Sequence, residues 1–299
     1  MQCFGRKDPI THGSFDATIG FKPMLKLLER NIATIEQRLV LVAPPAVVMP
    51  RAFQRARVAP DEHRRLVREV QRMRGSVYLE DGAVQRHQLS PEGLHQTPED
   101  ERSWHLLFTN DRRQVTACAW FLQHDVQASF EDLRVRHSPL ARGEEWRSKL
   151  WYAVESELAR ARAEGLSYAE VGGWAVTKES RCTSEGLLLA LAAYSLSRKL
   201  GGALGMTTAT VRHSSSVILR RLGGAPLQAK REDIPPYHDP KYGCTMEILR
   251  FDSRQPNRKY APLVELLQRK LSGVPIVGSN ASCAPFEGSA QPVSPFYAA

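Results

Sequence analysis

Apolar residues Met24, Leu27, Leu28, Ile32 and Ile35 recur at helical spacing and predict an amphipathic helix over residues 21–40. The segment that follows, LVLVAPPAVVMP, is apolar but interrupted by proline, which lacks the amide a central strand must donate. It is expected to lie as an extended arm across the core or at a partner surface. From Pro60 onward a helix is expected, and then two strands, of which the second covers residues 115–121. Leu150, Val154, Leu158 and Ala161 share one face of a helix near residues 145–164, with Gly165 as its stop. A β-branched and aromatic run over residues 168–176 predicts a strand, and LLLALAAYSLSRKL a helix closed by Gly201. A β-like segment at residues 203–211 precedes SSVILRRLGG, a short helix with Ser214 as its N-cap and Gly223 as its end. A second amphipathic segment spans residues 260–271, and the Ser-, Pro-, Ala- and Gly-rich stretch from Ser272 is expected to be disordered. Residues 1–20 look irregular, and no internal repeat is visible.

This pattern divides the chain into an N-terminal extension (1–58) with one helix and a Pro-rich arm, one larger unit (59–271) and a tail (272–299). A length of 299 residues with 42% hydrophobic content suits one moderately large domain with extensions. No apolar run approaches the roughly 20 residues that span a bilayer, and MQCFGRKDPITHGSFD has no signal-like core, so no membrane span is expected. Five scattered cysteines (Cys3, Cys118, Cys182, Cys244 and Cys283) without CxxC spacing point to free thiols and a cytoplasmic location. The nine histidines form no HxH, HExxH or Cys–His array, so no metal is expected.

Arginine supplies most of the net charge of +9. Arg51, Arg55, Arg57, Arg64, Arg65, Arg68, Arg72 and Arg74 crowd one region, which can be a solvated face, a nucleic-acid surface or a dock for an acidic protein. With no zinc-finger spacing, RNA-recognition motif or interleaved aromatics, nucleic acid is not expected.

The richest stretch for chemistry is residues 170–186, EVGGWAVTKESRCTSEG: a strand, a polar loop with Arg181, and Gly186 at the entry to an apolar helix. The first amides of such a helix lack intrahelical acceptors and carry the positive end of its dipole, so an anion there is stabilised. With Val176, Arg181 and Gly186 in the fitting places, this stretch resembles the acyl-CoA-binding core of the GCN5-related N-acyltransferase (GNAT) superfamily, although Ser184 stands where a Gly is usual. The "RRLG" ending of the short helix is similar to that superfamily as well, and a strand pair at residues 227–230 and 245–251 would close the fold. The resemblance spans residues 64–252 and implies an α/β fold with a mixed, mostly antiparallel central sheet flanked by helices.

Within the superfamily, Glu170, Trp174, Ala175 and Val176 resemble the corresponding strand of acyl-homoserine lactone synthases and long-chain N-acyl amino acid synthases. Arg74, Val77 and Tyr78, and the acidic run Glu99–Asp100–Glu101 ahead of Trp104, are similar to further segments of those enzymes. Gly173 and Trp120 stand where they carry arginines, and Ala117 where they carry Gly. The resemblance therefore implies the acyl-transfer scaffold rather than homoserine lactone chemistry.

What it implies is a cytoplasmic N-acyltransferase that takes its acyl group from acyl-CoA or an acyl carrier protein, with no permanently bound cofactor, and passes it to a small-molecule amine. Long-chain N-acyl amino acid synthesis is one form of this. An acetyl-CoA-dependent acetyltransferase and an inactive binding module with a basic docking face are the alternatives. Glu170 is the expected general base and Tyr237 the expected acid for the departing thiolate. The donor would lie on Trp174, Ala175, Val176, Arg181, Cys182, Thr183, Ser184, Glu185 and Gly186. An acyl carrier protein would dock on the arginine-rich region 51–74. Cys182 as a covalent nucleophile and His213 as a substrate contact are secondary candidates.

Overall fold

The computed structural model describes residues 21–45, 47–181, 183–212 and 215–280. The amphipathic stretch at its start forms α1 (Phe21–Ala33) and the single turn α2 (Ile35–Arg38), with Leu28, Ile32 and Ile35 buried and Leu27 exposed. The chain then leaves the helix as β1 (Leu39–Val42), two residues earlier than the expected helix end. β2 (Ala56–Val58) and the long α3 (Pro60–Glu80) follow, α3 starting with proline at a position where no amide donor is needed. β3 (Trp104–Thr109) and β4 (Val115–His124) form a hairpin. α4 (Pro139–Arg142) and α5 (Glu144–Ala163) lead to β5 (Ser167–Val176), α6 (Glu185–Lys199) and β6 (Ala203–Thr210). The rest comprises α7 (Ser215–Leu222), β7 (Ala225–Pro226), β8 (Gln228–Ala229), β9 (Glu232–Asp233), β10 (Tyr237–Asp239), β11 (Cys244–Asp252), α8 (Ala261–Lys270) and β12 (Ile276–Gly278).

The main sheet has ten strands, with the path β10-β11-β6-β5-β4-β3-β1-β12-β2 and β7 paired to β11. It is mixed and mostly antiparallel; the parallel pairs are β5 with β6, β1 with β12 and β12 with β2. Helices flank it on both faces, as the resemblance implied. Alternation along the strands decides which residue faces which layer. Leu106, Phe108, Ala117, Ala119 and Ala169 pack with α1, α6 and α8, whereas Tyr168, Leu204, Met206 and Ile248 pack with α5. Leu107, Cys118 and Ala175 pack with α3 on that second face.

Three expectations are corrected. The Pro-rich segment is not an arm: β1 is an inner strand between β3 and β12, and Pro44 and Pro45 follow its last paired residue, where they remove no ladder donor. The segment from Ser272 includes β12, which sits between β1 and β2 with Val274, Ile276 and Val277 buried. The sheet therefore crosses both expected domain boundaries, and the polar composition of the following residues had hidden the short apolar run VPIVG. Residues 227–230 do not close the main sheet either. β8 turns through Lys230 and Arg231, both at positive φ, to pair with β9 in a separate hairpin, and β11 takes β6, β7 and β10 as neighbours. Residues 1–20 and 281–299, with Cys3 and Cys283, lie outside the described residues. No described helix is long and apolar enough to cross a membrane.

The feature that shapes the centre of the molecule is a bulge in β5. Cys118 pairs with Ala175 and Trp120 with Gly172, so the single residue Ala119 faces both Gly173 and Trp174. Gly173 has φ +62°, a conformation costly for any residue with a Cβ. The extra residue bends β5, and its parallel pairing with β6 runs from Ser167–Ala203 only as far as Val171–Thr207. Beyond that point the two strands part.

Candidate active site

The gap between the parted strands opens into a cavity of about 1340 Å³. Gly172 to Val176 of β5 form one wall and Met206 to Thr210 of β6 the other. Toward α6 and α7 the lining includes the apolar Ala190, Ala193, Tyr194, Ile218 and Leu219, with Leu249 and Phe251 of β11, together with the polar Ser215 and Arg221 of α7. Toward α3 and α5 it is polar, with Glu170, Arg134, Tyr78 and Tyr242.

Glu170 is buried, at 4% exposure, and is one of the residues lining the cavity. Its Oε2 lies 2.9 Å from His124 Nε2, and the Arg134 backbone N–H donates to both carboxylate oxygens at 3.1 and 3.2 Å. His124 is opposite Tyr168 in the β4–β5 register, which makes it the diagonal neighbour of Glu170 on the same face. These partners keep the carboxylate in place and leave it acceptor capacity toward the cavity. The Arg134 guanidinium pairs with Glu99 and lies over the Trp120 ring, 5.4 Å from its centroid. Burial alone would make Arg134 easier to deprotonate, but Tyr242, Glu99 and Glu170 outweigh it and hold the charge.

Trp120 fills the space beside the glycines. A Cβ at Gly172 would sit 2.3 Å from Trp120 Cζ2, and one at Gly173 would sit 2.4 Å from Cδ1. Trp120 and the two glycines are thus one matched unit: the indole occupies what the glycines leave empty.

Tyr78 donates from its hydroxyl to the Trp174 carbonyl at 3.3 Å, which ties α3 to the bulge. Burial pushes its phenol above the usual range, so it stays protonated at neutral pH. Cys118 donates its thiol to the Gly173 carbonyl at 3.4 Å, and burial pushes that thiol up to about 12. Beneath the bulge Arg74, fully buried, donates to Asp100 Oδ2 at 2.7 Å and to the His95 carbonyl at 2.6 Å.

In the loop, the Arg181 N–H bonds the Thr177 carbonyl at 3.0 Å, and the guanidinium pairs with Asp81. Thr183 Oγ1 accepts the Glu185 N–H at 3.2 Å and donates to the Ser180 carbonyl at 2.7 Å, capping α6. Trp174, Ala175, Val176, Arg181, Thr183 and Gly186 line the cavity. Ser184 and Glu185 are not among the lining residues: Ser184 Oγ accepts from Asn31 at 2.7 Å, while Glu185 pairs with Arg38 and accepts from Thr116 at 3.0 Å. Cys182 and His213 lie outside the described residues.

Tyr237 is displaced from the role expected of it. It lies on β10, buried with Leu227 and Ile234, and it is not among the residues lining the cavity. Tyr242, in the turn after β10, lines the cavity instead. Sequence reasoning also missed His124, Arg134 and Asp81. His124 becomes visible only once the β4–β5 register is known, and Arg134 acts partly through its backbone, which leaves no side-chain signature.

The arginine-rich region is largely neutralised. Arg57, Arg64, Arg65 and Arg68 pair with Glu62, Asp61, Glu69 and Glu92, and Arg74 is interior. Among the described residues no group of three or more His, Cys, Asp or Glu side chains is placed to hold a metal ion.

No family model and no curated protein matches the chain. Solved structures do. A CoA-dependent acyl-homoserine lactone synthase, BjaI, is 12% identical over 81% of this chain and 92% of its own, with a TM-score of 0.49. FeeM, an N-acyl amino acid synthase from uncultured soil microbes, is 16% identical over 67% and 90%, with a TM-score of 0.42. A putative N-acetyltransferase from Lactobacillus plantarum is 12% identical over 72% and 97%, with a TM-score of 0.40. The chain is similar to proteins of these kinds, at low identity throughout.

Proposed function

We propose that this protein is an N-acyltransferase that moves a medium or long acyl chain from a pantetheine thioester to the amine of a small molecule. The observation that carries this reading is the opening between β5 and β6, with the buried, cavity-lining Glu170 on one side and a largely apolar channel on the other. The pantetheine arm fits between the parted strands, where residues 172–176 keep their pairing with β4 but have lost β6 as a partner, so the backbone groups on that side can hydrogen-bond its amides. The acyl chain extends between α6 and α7. At about 1340 Å³ the cavity is larger than the roughly 300–1,000 Å³ of most small-molecule sites, and an acetyl group would leave its apolar arm empty.

The acceptor amine approaches from the Glu170 side. Glu170 takes a proton from the ammonium, directly or through water, and the neutral nitrogen attacks the thioester carbonyl. Backbone N–H groups at residues 174–176 stabilise the oxyanion that forms. The tetrahedral intermediate collapses with release of the thiolate, which takes a proton from Tyr242, a residue of the cavity lining, and the second proton of the attacking nitrogen passes through water to the phenolate so formed. His124 and the Arg134 amide keep Glu170 aimed through these steps.

The donor is CoA or a carrier protein. The ion pairs on the face of α3 leave that surface little free charge for an acidic carrier, and support for docking there comes mainly from exposed Arg72. The test is amine-dependent release of free thiol, followed with a chromogenic disulfide, from acyl-CoAs of increasing chain length and a panel of amines. Turnover that rises with chain length beyond acetyl supports the reading. A preference for acetyl-CoA, or no thiol release with any donor while the protein stays folded, contradicts it.

A further inference from the structure

Asp81 is the C-cap of α3, a helix of 21 residues. A carboxylate there faces the negative end of the helix dipole and is disfavoured unless another group holds it. Arg181 is that group. Its Nη1 lies 2.9 Å from Asp81 Oδ1, and its Nη2 donates to Oδ2 at 3.0 Å, a two-pronged pairing. Both residues line the cavity, and neither is deeply buried, with side chains 19% and 34% exposed. The rest of the loop is also satisfied from within, Ser184 by Asn31 and Glu185 by Arg38.

Arg181, the cavity-lining arginine of the loop that enters α6, is therefore already occupied by a carboxylate of the protein itself. We infer that Asp81 is an internal stand-in for the donor's phosphate: it neutralises Arg181 while the site is free, and the phosphate to which the donor's pantetheine is esterified displaces it on binding. Asp81 thereby sets donor affinity. This inference rests on the reading of the site as one for a pantetheine thioester. A phosphate presents more acceptor oxygens to the same guanidinium fork, so it can win the exchange. Asp81, at the protein surface, turns to water. Donor binding then includes the cost of parting Asp81 from Arg181, and removing the Asp81 charge removes that cost.

The experiment is isothermal titration of the full-length protein with CoA and, separately, with pantetheine, which has no phosphate. Wild type, Asp81→Asn, Arg181→Gln and the double variant are compared, with Asp81→Ser as a second removal of the charge and thermal melts confirming folding. Asp81→Asn is expected to bind CoA roughly 5-fold tighter with pantetheine unchanged. Arg181→Gln weakens CoA, and in that background the gain from Asp81→Asn disappears. If wild type binds CoA and the folded Asp81 variants bind it no tighter, or less tightly, Asp81 is a structural strut and the inference is overturned while the site reading stands. If wild type binds neither CoA nor pantetheine, the site reading falls and the inference with it.

Discussion

The Trp120 indole lies where a side chain at residue 172 would have to go, with Cζ2 2.3 Å from the Cβ that Gly172 lacks. That fit makes the bulge in β5, the positive φ of Gly173 and the stacking of Arg134 on Trp120 parts of one arrangement. Gly172→Ala should therefore destabilise the fold by about 1–3 kcal/mol, the usual cost of overpacking. In a Trp120→Ala background the same change should cost much less, because the clashing ring is gone. Chemical denaturation of the four proteins decides this; an equal cost of Gly172→Ala in both backgrounds would show that the ring is not what excludes a side chain.

Acid should weaken the fold before most carboxylates titrate. Burial pushes His105 and His95 down to about 4 from the ordinary 6.5, and Asp100, which pulls both up, does not outweigh it. Their folded pKa values lie below the unfolded ones, so between pH 6.5 and 4 the unfolded chain binds more protons and stability falls as pH falls through that window. His105, fully buried with Nε2 2.7 Å from the Asp100 carbonyl, accounts for up to about 3 kcal/mol of that loss. Asp100 adds to it at lower pH. Burial raises its pKa, but Arg74 and the Thr97 amide outweigh that and depress it, so its contribution is present above the unfolded value and disappears as pH drops through the folded one. Urea midpoints across this range for wild type and His105→Asn check the assignment, the variant being expected to show the shallower pH dependence.

Ala190 lines the channel from α6, and Ile218 and Leu219 line it from α7. Ala190→Phe should block it partway and shift turnover toward shorter acyl donors, leaving the reaction with short chains nearly intact. Thiol release measured with a series of chain lengths reads this directly. An unchanged chain-length profile would place the acyl group elsewhere.

Tyr242 rather than Tyr237 should be sensitive to loss of its hydroxyl. Tyr242→Phe is expected to lower kcat by about 10-fold or more, within reach of a general-acid contribution, while Tyr237→Phe affects stability only. Parallel kinetics and melting curves separate the two; a kcat loss confined to Tyr237→Phe would restore the sequence-based assignment.

Much of the fold was legible because most elements carry their own period. Leu150, Val154, Leu158 and Ala161 fix the inner face of α5, and the run ending at Val176 fixes β5. What was not legible depends on pairing. β1 and β12 are four and three residues long, too short to show a period, and each is stabilised by the strands beside it rather than by its own sequence. The strand that carries Glu170 was legible because its neighbour pattern is recognisable, and the structure puts Glu170 in the cavity lining. His124 is 46 residues away and meets Glu170 only through register, and Tyr242 rather than Tyr237 lines the cavity because a β10–β11 pairing absent from the expected topology buries the earlier tyrosine.

If Glu170 is the base of an acyl transfer to an amine, removing its charge should stop product formation. Mass spectrometry of N-acylated amines in cells and medium of a bacterial host producing either the wild type or Glu170→Gln, which keeps the shape of the side chain but cannot take the proton, reads this. New long-chain N-acyl products are expected with the wild type and should fall by roughly 100-fold or more with the variant at equal protein level. Equal product from both would remove Glu170 as the base, and no new N-acyl product from the folded wild type would contradict the acyltransferase reading itself.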